Sequence, residues 1–198
     1  GANEGYPRNK IPLPSPGVGG YCLTKDPILF SCTPNGIRKD AVIGLSSRRI
    51  NESAMLYPVK LLKKYAQKKD KRLSEMTILI MGIAFKGVPE TTDVRGSISV
   101  DIMKILTSQV RKIYGWDAVI GDDELQKYGF CTAKSLEISV HQADAVLILN
   151  NHPGNVQLEI FETSDSSRLI FDGWNQLDMI EVEKVNGLEY ATMGYMTQ

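Results

Sequence analysis

Three side chains that could cooperate in covalent chemistry lie close together near the start of the chain: Cys22, Lys25 and Asp26. A thiolate forms more readily beside a cation, so Lys25 is a candidate activator of a Cys22 nucleophile. A carboxylate such as Asp26 could position or deprotonate a water molecule. The spacing therefore predicts a site for nucleophilic catalysis. The alternative is a turn around a packed, unreactive cysteine.

The segment that carries these residues, 15–27, is rich in glycine and proline. Gly19 and Gly20 would let a ligand approach the main chain closely. Pro16 and Pro27 predict that the segment lies outside regular helix and sheet. We therefore expect Cys22 on a loop, within an irregular but anchored arm that spans residues 1–38.

A second candidate site, Gly-Ile-Ala-Phe-Lys-Gly at residues 82–87, follows the apolar run 77–81. It resembles a degraded dinucleotide fingerprint, with the small Ala84 in place of the second glycine. The next helix begins only near Ser97, which argues against an NAD site. A crevice that binds a nucleotide in another way and a purely structural turn both stay open. Lys86 could contact a phosphate or a sugar hydroxyl, or it could be a surface lysine.

Arg95 lies in the segment 92–97, which leads into the N-terminus of the predicted helix. Such a position favours anions, and a guanidinium can bind a phosphate through two parallel hydrogen bonds. The alternative is an ion pair between Asp93 and Arg95 on a loop. His152 and the segment 172–175 each follow a predicted strand at its ligand-binding end, although the Pro-Gly pair after His152 favours a plain turn.

Strand and helix patterns alternate from residue 73 to residue 198, which predicts an α/β fold. We expect a Rossmann-like, doubly wound parallel sheet. The predicted strands are 77–81, 110–116, 145–150, 168–171 and 188–191. The predicted helices are 97–109, 122–128, 133–142, 156–162 and 179–185.

Residues 40–69 have the apolar spacing of one long helix, capped by Asp40 and kinked at Pro58. Its apolar surface is wider than one stripe needs, so we expect packing on two sides, with another subunit as one candidate partner. The chain then divides into an arm and helix, residues 1–72, and a sheet domain, residues 73–198.

Composition excludes several classes of function. Among 198 residues, 23 Lys and Arg balance 23 Asp and Glu, so nucleic acid is not an expected partner. Three cysteines and two histidines form no zinc pattern, so we predict no metal site. We expect reduced thiols, a cytoplasmic location and no membrane span, because the longest apolar run is far too short. The chain starts without Met, and we expect it to be a piece of a longer protein.

Three segments resemble, in order, motifs of the UDP-glucose/GDP-mannose dehydrogenase family. Residues 17–26, Gly-Val-Gly-Gly-Tyr-Cys-Leu-Thr-Lys-Asp, resemble its catalytic-cysteine loop. Residues 47–51, Ser-Arg-Arg-Ile-Asn, resemble a segment of its dimerisation helix. Residues 82–97 resemble the start of its nucleotide-sugar-binding domain, and Asp-Gly-Trp-Asn at 172–175 and Tyr-Ala-Thr-Met-Gly at 190–194 are similar to its C-terminal pieces.

The resemblance implies an enzyme that oxidises the C6 alcohol of a sugar nucleotide to a carboxylate with two NAD. Cys22 would be the nucleophile, forming a thiohemiacetal and then a thioester. Asp26 would assist proton transfer and the hydrolytic water, while Lys25 and Arg95 would face NAD. The implied substrate-binding residues are Arg8, Asn9, Gly19, Gly20, Phe85 and Lys86. The implied assembly is a homodimer through the 40–69 helix, with an arginine of the arm donated across it.

Two departures leave the sugar nucleotide open among UDP-glucose, UDP-N-acetylhexosamines and GDP-mannose. Trp174 stands where many members have an arginine, and Tyr21 stands where some branches have histidine. The family's N-terminal NAD-binding domain has no counterpart in these residues. We therefore expect that domain to supply most of the NAD site and this chain alone to be inactive. The alternatives are a non-catalytic nucleotide-sugar-binding or dimerisation module, and an unrelated enzyme that binds a dinucleotide at residues 82–87.

Overall fold

The structure, a computed structural model, describes residues 4–5, 14–33, 35–38, 41–156, 161 and 167–196. Its strands are β1 (Cys32–Thr33), β2 (Gly36–Ile37), β3 (Thr77–Met81), β4 (Lys112–Trp116), β5 (Ala145–Ile148), β6 (Arg168–Asp172), β7 (Leu188–Thr192) and β8 (Tyr195–Met196). Its helices are α1 (Tyr21–Ser31), α2 (Val42–Ala54), α3 (Tyr57–Lys68), α4 (Ile98–Leu106), α5 (Asp122–Lys127), α6 (Leu136–Gln142) and α7 (Met179–Val182).

Six strands form one sheet in the order β4-β3-β5-β6-β7-β8, parallel except for the last. The five parallel strands match the five predicted strands, and the α/β fold class is confirmed. The chain leaves β3 towards β4 on one side and later returns to β5 on the other. Parallel sheets bind ligands at such a switch point, outside the carboxyl ends of the strands. The crevice to examine therefore lies after β3 and β5.

Helices cover both faces of the sheet, as a doubly wound fold requires. Alternate residues of β3 point to opposite faces, because side chains alternate along a strand. Ile78 and Ile80 pack in a core with α3 and α4, and Leu79 and Met81 pack in a second core with α6 and α7. All five residues of β3 are buried, as the continuous apolar run predicted.

The segment that carries Cys22 is helical, which corrects the prediction of a loop. Pro27 lies inside α1 instead of bounding it. A proline in a helix removes the hydrogen bond to the carbonyl four residues earlier, here that of Leu23. The Leu23 side chain is 57% exposed, so water can reach this side of the helix and replace the missing donor. Cys22 therefore lies in the first turn of α1.

Residues 40–69 form two helices instead of the single helix that was predicted. The break falls at Met55 and Leu56, and Pro58 lies in the first turn of α3, where its missing N–H costs nothing. Helix α3 buries Leu62 and Tyr65 against the sheet, whereas none of the residues of α2 is buried. The predicted cap, Asp40, and most of the predicted helix 156–162 lie outside the described residues. No described helix has the length and apolar character that a membrane span requires.

Candidate functional site

The turn after β3 is shaped by close contacts with the end of β5. Gly82 has φ +82°, and a Cβ there would lie 2.4 Å from Asn150 Oδ1, so only glycine fits. The start of α4 fastens the same turn, because Ser97 Oγ donates to the Ile83 carbonyl at 2.6 Å and Ser99 Oγ to the Gly82 carbonyl at 2.5 Å. The first part of the turn is thus fixed by its own chain.

A buried carboxylate, Asp117, links the ends of β3 and β4. Its Oδ2 accepts the N–H groups of Ile83 at 2.6 Å and Ala84 at 2.9 Å. Its Oδ1 accepts those of Val119 at 2.9 Å and Ile120 at 3.2 Å. Sequence reasoning missed this residue. The available signal was an aspartate directly after a predicted strand, on the edge where the turn of residues 82–87 also lies.

The second part of the turn rests on the residues after β5. Asn151 Oδ1 accepts the N–H groups of Gly87 at 2.9 Å and Val88 at 3.1 Å. A Cβ on Gly87 would lie 2.0 Å from the His152 nitrogen, so the two backbones are in direct contact. Asn150 Nδ2 donates to the Ala84 carbonyl at 3.2 Å. Asn150 and Asn151 were also missed by sequence reasoning.

The glycines before Cys22 pack directly on this turn. A Cβ on Gly19 would lie 2.1 Å from the Gly96 carbonyl oxygen. A Cβ on Gly20, which has φ +91°, would lie 2.9 Å from the Phe85 ring. The structure therefore brings together Gly19, Gly20 and Phe85, three residues that the sequence placed in one substrate site, with Arg95 adjoining Gly96.

Asn51 of α2 holds the other side of the glycine segment. Its Oδ1 accepts the Val18 N–H at 2.7 Å, and its Nδ2 donates to the Val18 carbonyl at 3.1 Å. These two bonds imitate one rung of a β-ladder. Asn51 belongs to the segment whose likeness to a dimerisation helix was noted, and the structure gives it a local contact as well.

Cys22 is a free, exposed thiol, with cationic groups nearby. Lys25 forms an ion pair with Asp26, and its Nζ lies 5.1 Å from the centroid of the Tyr21 ring. The hydrogen bond to Asp26 raises the pKa of Lys25. Arg95 Cζ lies 5.2 Å from the same ring centroid. Lys25 and Arg95, the two cations predicted to face NAD, therefore both lie close to the ring of Tyr21, the residue that precedes Cys22.

Arg95 binds Asp93 through two nitrogens, Nε at 3.0 Å from Oδ1 and Nη2 at 2.7 Å from Oδ2. This is the ion pair that sequence reasoning gave as the alternative to a phosphate contact. The hydrogen bond from Arg95 lowers the pKa of Asp93 to about 2. The Arg95 side chain is 67% exposed, so solvent screening keeps the pair weak and open to exchange with another anion.

Comparison with known proteins decides the family. Residues 79–179 match the model of the UDP-glucose/GDP-mannose dehydrogenase family, UDP binding domain. The chain belongs to this family. A UDP-N-acetyl-D-mannosamine dehydrogenase from Pyrococcus horikoshii is 33% identical over 86% of this chain and 38% of the relative.

Two further relatives agree with this family. The solved structure of the Pyrococcus horikoshii UDP-D-ManNAc dehydrogenase superposes with a TM-score of 0.76 at 31% identity, over 98% of this chain and 42% of that one. A Salmonella typhi UDP-N-acetyl-D-glucosamine 6-dehydrogenase is 27% identical over 73% of this chain and 33% of the relative. The chain thus spans about two fifths of the length of the Pyrococcus relative.

Trp174, where the family resemblance implies an arginine, is held by hydrogen bonds at the end of β6. Its indole Nε1 donates to the Leu149 carbonyl at 3.0 Å, and its backbone N–H donates to Asp172 at 3.0 Å. Asp172 is fully buried and also accepts the Tyr190 hydroxyl at 3.1 Å. Burial, assisted by the Asp172 charge, raises the pKa of Tyr190. Asp172 therefore has a structural role here.

The remaining predicted positions are placed as follows. Arg8 and Asn9 lie outside the described residues. His152 accepts the Gly154 N–H at Nδ1 and contacts Glu90 at 3.0 Å through Nε2, so it fastens a loop. Among the described residues, no group of three His, Cys, Asp or Glu side chains is arranged to hold a metal ion.

Proposed function

We propose that this chain is part of an enzyme that oxidises the C6 alcohol of a UDP-sugar to a carboxylate in two hydride transfers. The observation that carries the proposal is the packing of Gly19 and Gly20 against Phe85 and Gly96. This contact joins the segment that carries the thiol to the turn at the switch point. A nucleotide diphosphate bound at the turn would then hold its sugar close to the thiol.

Cys22 is the proposed nucleophile, and its exposure in the first turn of α1 suits that role. When the first hydride leaves C6, the hydroxyl proton passes to water. The Cys22 sulfur then bonds to the aldehyde carbon while the thiol proton passes to the carbonyl oxygen, which forms a thiohemiacetal. Loss of a second hydride, with the hydroxyl proton again passing to water, leaves a thioester. Water then attacks that carbon, the C–S bond breaks, and the carboxylate and the free thiol are released. Asp26 accepts the proton from this water, once its ion pair with Lys25 has opened.

NAD supplies the hydride acceptor in this proposal, and Lys25 and Arg95 would face it. These two cations fit an anionic dinucleotide, because both approach the Tyr21 ring within 5.2 Å, and Arg95 is exposed and Lys25 partly exposed. Each already has an acidic partner, Asp26 or Asp93. Exposed ion pairs of this kind are weak, so an incoming phosphate can replace the carboxylate at little cost.

Phe85 and Lys86 are the proposed contacts to the sugar nucleotide, with backbone groups of Gly19 and Gly20. Lys86 Nζ lies 5.3 Å from the centroid of the Phe85 ring. Arg8 and Asn9 complete the proposed substrate site from the arm. The names of the Pyrococcus relatives make UDP-N-acetyl-D-mannosamine the first sugar nucleotide to test.

A homodimer through α2 and α3 is part of the proposal. Helix α2 exposes Val42 by 61%, Ile43 by 83% and Ile50 by 68%, and it buries none of its residues. Apolar side chains of this size on one helix are typical of an interface. Sedimentation should give twice the chain mass for the unsubstituted protein. An Ile43→Asp variant should sediment as a monomer.

The first test measures ligand binding by thermal melting against UDP, GDP, UDP-N-acetyl-D-mannosamine and NAD. A ligand at 100 times its Kd stabilises the folded state by about 2.7 kcal/mol. We expect stabilisation by UDP and the UDP-sugar, and none by GDP. Stabilisation by NAD alone would contradict the proposal.

The second test concerns the Cys22 thiol and uses the full-length protein. Cys22→Ala should abolish NADH formation while UDP-sugar binding persists. Cys32→Ala is a matched control, because Cys32 is also free and exposed. It should retain activity. Full activity of the Cys22→Ala variant would overturn the nucleophile assignment.

A further inference from the structure

We propose that the turn after β3 is a dinucleotide cradle already filled by the protein's own acceptors, which leaves one phosphate position at Lys86. In this arrangement, Asn151 is a positioning residue for that phosphate. The inference rests on the proposed function, because it takes the ligand to be a UDP-sugar. It adds two residues, Asp117 and Asn151, that neither the sequence motifs nor the family resemblance pointed to.

Asp117 fills the first half of the turn. In a dinucleotide-binding fold, the N–H groups after the first strand and at the start of the next helix bind the pyrophosphate. Here the N–H groups of Ile83 and Ala84 donate to Asp117, which is only 8% exposed. A pyrophosphate would have to displace a buried carboxylate or lie against it, and either arrangement is costly.

The start of α4 is fastened to the same turn. Ser97 and Ser99 turn their hydroxyls towards the carbonyls of Ile83 and Gly82, at 2.6 Å and 2.5 Å. Ser97 Oγ also accepts the Val100 N–H at 3.4 Å. These bonds and Asp117 hold the first half of the turn in place, so a dinucleotide could reach its N–H groups only by displacing them.

Asn151 holds the second half of the turn, but one N–H group of the turn, that of Lys86, is left without an acceptor in the described part of the chain. Asn151 takes the N–H groups of Gly87 and Val88, and the Asp93 carbonyl takes that of Phe85 at 3.0 Å. Within the described part of the chain, Lys86 has the one backbone N–H between residues 83 and 88 that no acceptor takes. The backbone N–H and the ammonium of Lys86 thus offer two donors to one phosphate.

Asn151 acts on that phosphate through Lys86. Without the Asn151 side-chain oxygen, the N–H groups of Gly87 and Val88 lose their acceptor. The Lys86–Gly87 peptide is then less fixed, and the adjoining peptide, which carries the Lys86 N–H, can change its orientation. Uridine carries no phosphate, so we expect its binding to change little. The loss should therefore be specific for phosphate.

The experiment measures Kd by calorimetry for UDP and, by NMR titration, for uridine. It compares the unsubstituted chain with Asn151→Ala, Lys86→Ala and the double variant. Asn151→Ala should weaken UDP binding about tenfold, the equivalent of one net hydrogen bond. Uridine binding should change less than about twofold. The Kd of the double variant for UDP should lie within about twofold of that of Lys86→Ala, since the effects of coupled residues are not additive.

Gln126→Ala is the matched control, because it removes an exposed amide that bonds only to Thr132, at 2.8 Å, away from the site. It should leave both Kd values unchanged. ADP-ribose, which carries a dinucleotide's pyrophosphate, should not bind the unsubstituted chain at these residues. Melting temperatures and amide spectra confirm that each variant is folded.

The outcomes separate the two proposals. If the unsubstituted chain binds UDP and Asn151→Ala binds it equally well, or loses uridine to the same extent, the inference is wrong and the proposed function stands. ADP-ribose binding that shifts the amide signals of residues 83–88 also overturns the inference. If the unsubstituted chain binds no UDP, the proposed function fails, and the inference fails with it.

Discussion

The carboxyl edge of the sheet and the helical region before it, which consists of the glycine segment, α1 and α2, are built in opposite ways. At the edge, the buried Asp117 and Asp172 and the partly buried Asn151 accept neighbouring N–H groups from inside the domain. In the region that carries Cys22, the side chains with chemistry are exposed. The contacts of Gly19 and Gly20 with Gly96 and Phe85 attach this region to the sheet domain, and two hydrogen bonds from Asn51 hold the glycine segment on α2.

This difference separates binding from chemistry. A site made of buried acceptors is fixed before a ligand arrives, which lowers the cost of binding. The Cys22 region instead exposes large apolar side chains, including Phe30 by 65% and Leu29 by 60%. We infer that the helical region reaches its working state only when another surface covers it.

The largest effect is expected from placing a methyl group in the rigid edge. Gly82→Ala forces an unfavourable φ and puts Cβ 2.4 Å from Asn150 Oδ1. The strain and overpacking together should destabilise the fold by about 3 kcal/mol. Urea unfolding measures this directly. A change below about 1 kcal/mol would mean that the edge is as adaptable as the helical region.

The same substitution in the helical region should act locally. Gly19→Ala places a Cβ 2.1 Å from the Gly96 carbonyl oxygen, so the segment must move away from the turn. The buried residues of that segment are Pro16 and glycines, with no large side chain, so the expected destabilisation is below about 1 kcal/mol. Iodoacetamide labelling of Cys22 should nevertheless change in rate, because α1 follows directly after the displaced glycines. Unchanged labelling would show that the thiol does not depend on this contact.

The sheet could be predicted from sequence because its signals are local. Apolar runs of strand length alternate with helical periods, and the five parallel strands follow from them. The turn of residues 82–87 was located for the same reason. The acceptors at the edge were missed because their partners are distant in sequence: Asp117 bonds to Ile83, and Asn151 bonds to Gly87. Both residues come directly after a predicted strand, but that position does not identify their partners.

The helical region was predicted less well. Pro27 suggested a loop, yet α1 continues through it, because a single missing bond on an exposed side is tolerated. The break between α2 and α3 falls at Met55 and Leu56, where the apolar spacing gives no signal. In both places the effect of a proline was misjudged: Pro27 is tolerated inside α1, whereas Pro58 lies in the first turn of a new helix, α3, instead of kinking one long helix.

A smaller effect tests the link between α2 and the glycine segment. Asn51→Ala removes both hydrogen bonds to Val18. The Val18 amide should then exchange with deuterium about tenfold faster, because one net hydrogen bond contributes about 1 kcal/mol. Glu52→Ala is a matched control on the same helix, since it removes the ion pair with Arg48 and leaves the Asn51 side chain in place. It should leave the Val18 exchange rate unchanged.

The smallest effect concerns the exposed Asp93–Arg95 pair. The hydrogen bond from Arg95 lowers the pKa of Asp93 from 3.8 to about 2. A depressed carboxyl pKa stabilises the folded state above the unfolded value, so this contribution is present above about pH 4 and disappears as pH falls to about 2. NMR of the Asp93 carboxyl carbon should show titration near pH 2, and Arg95→Ala should return the midpoint to the ordinary range. High salt should do so in part, because the pair is exposed. A midpoint near 3.8 in the unsubstituted protein would show that the pair does not persist in solution. Arg95 would then be free to bind an anionic ligand without first releasing Asp93.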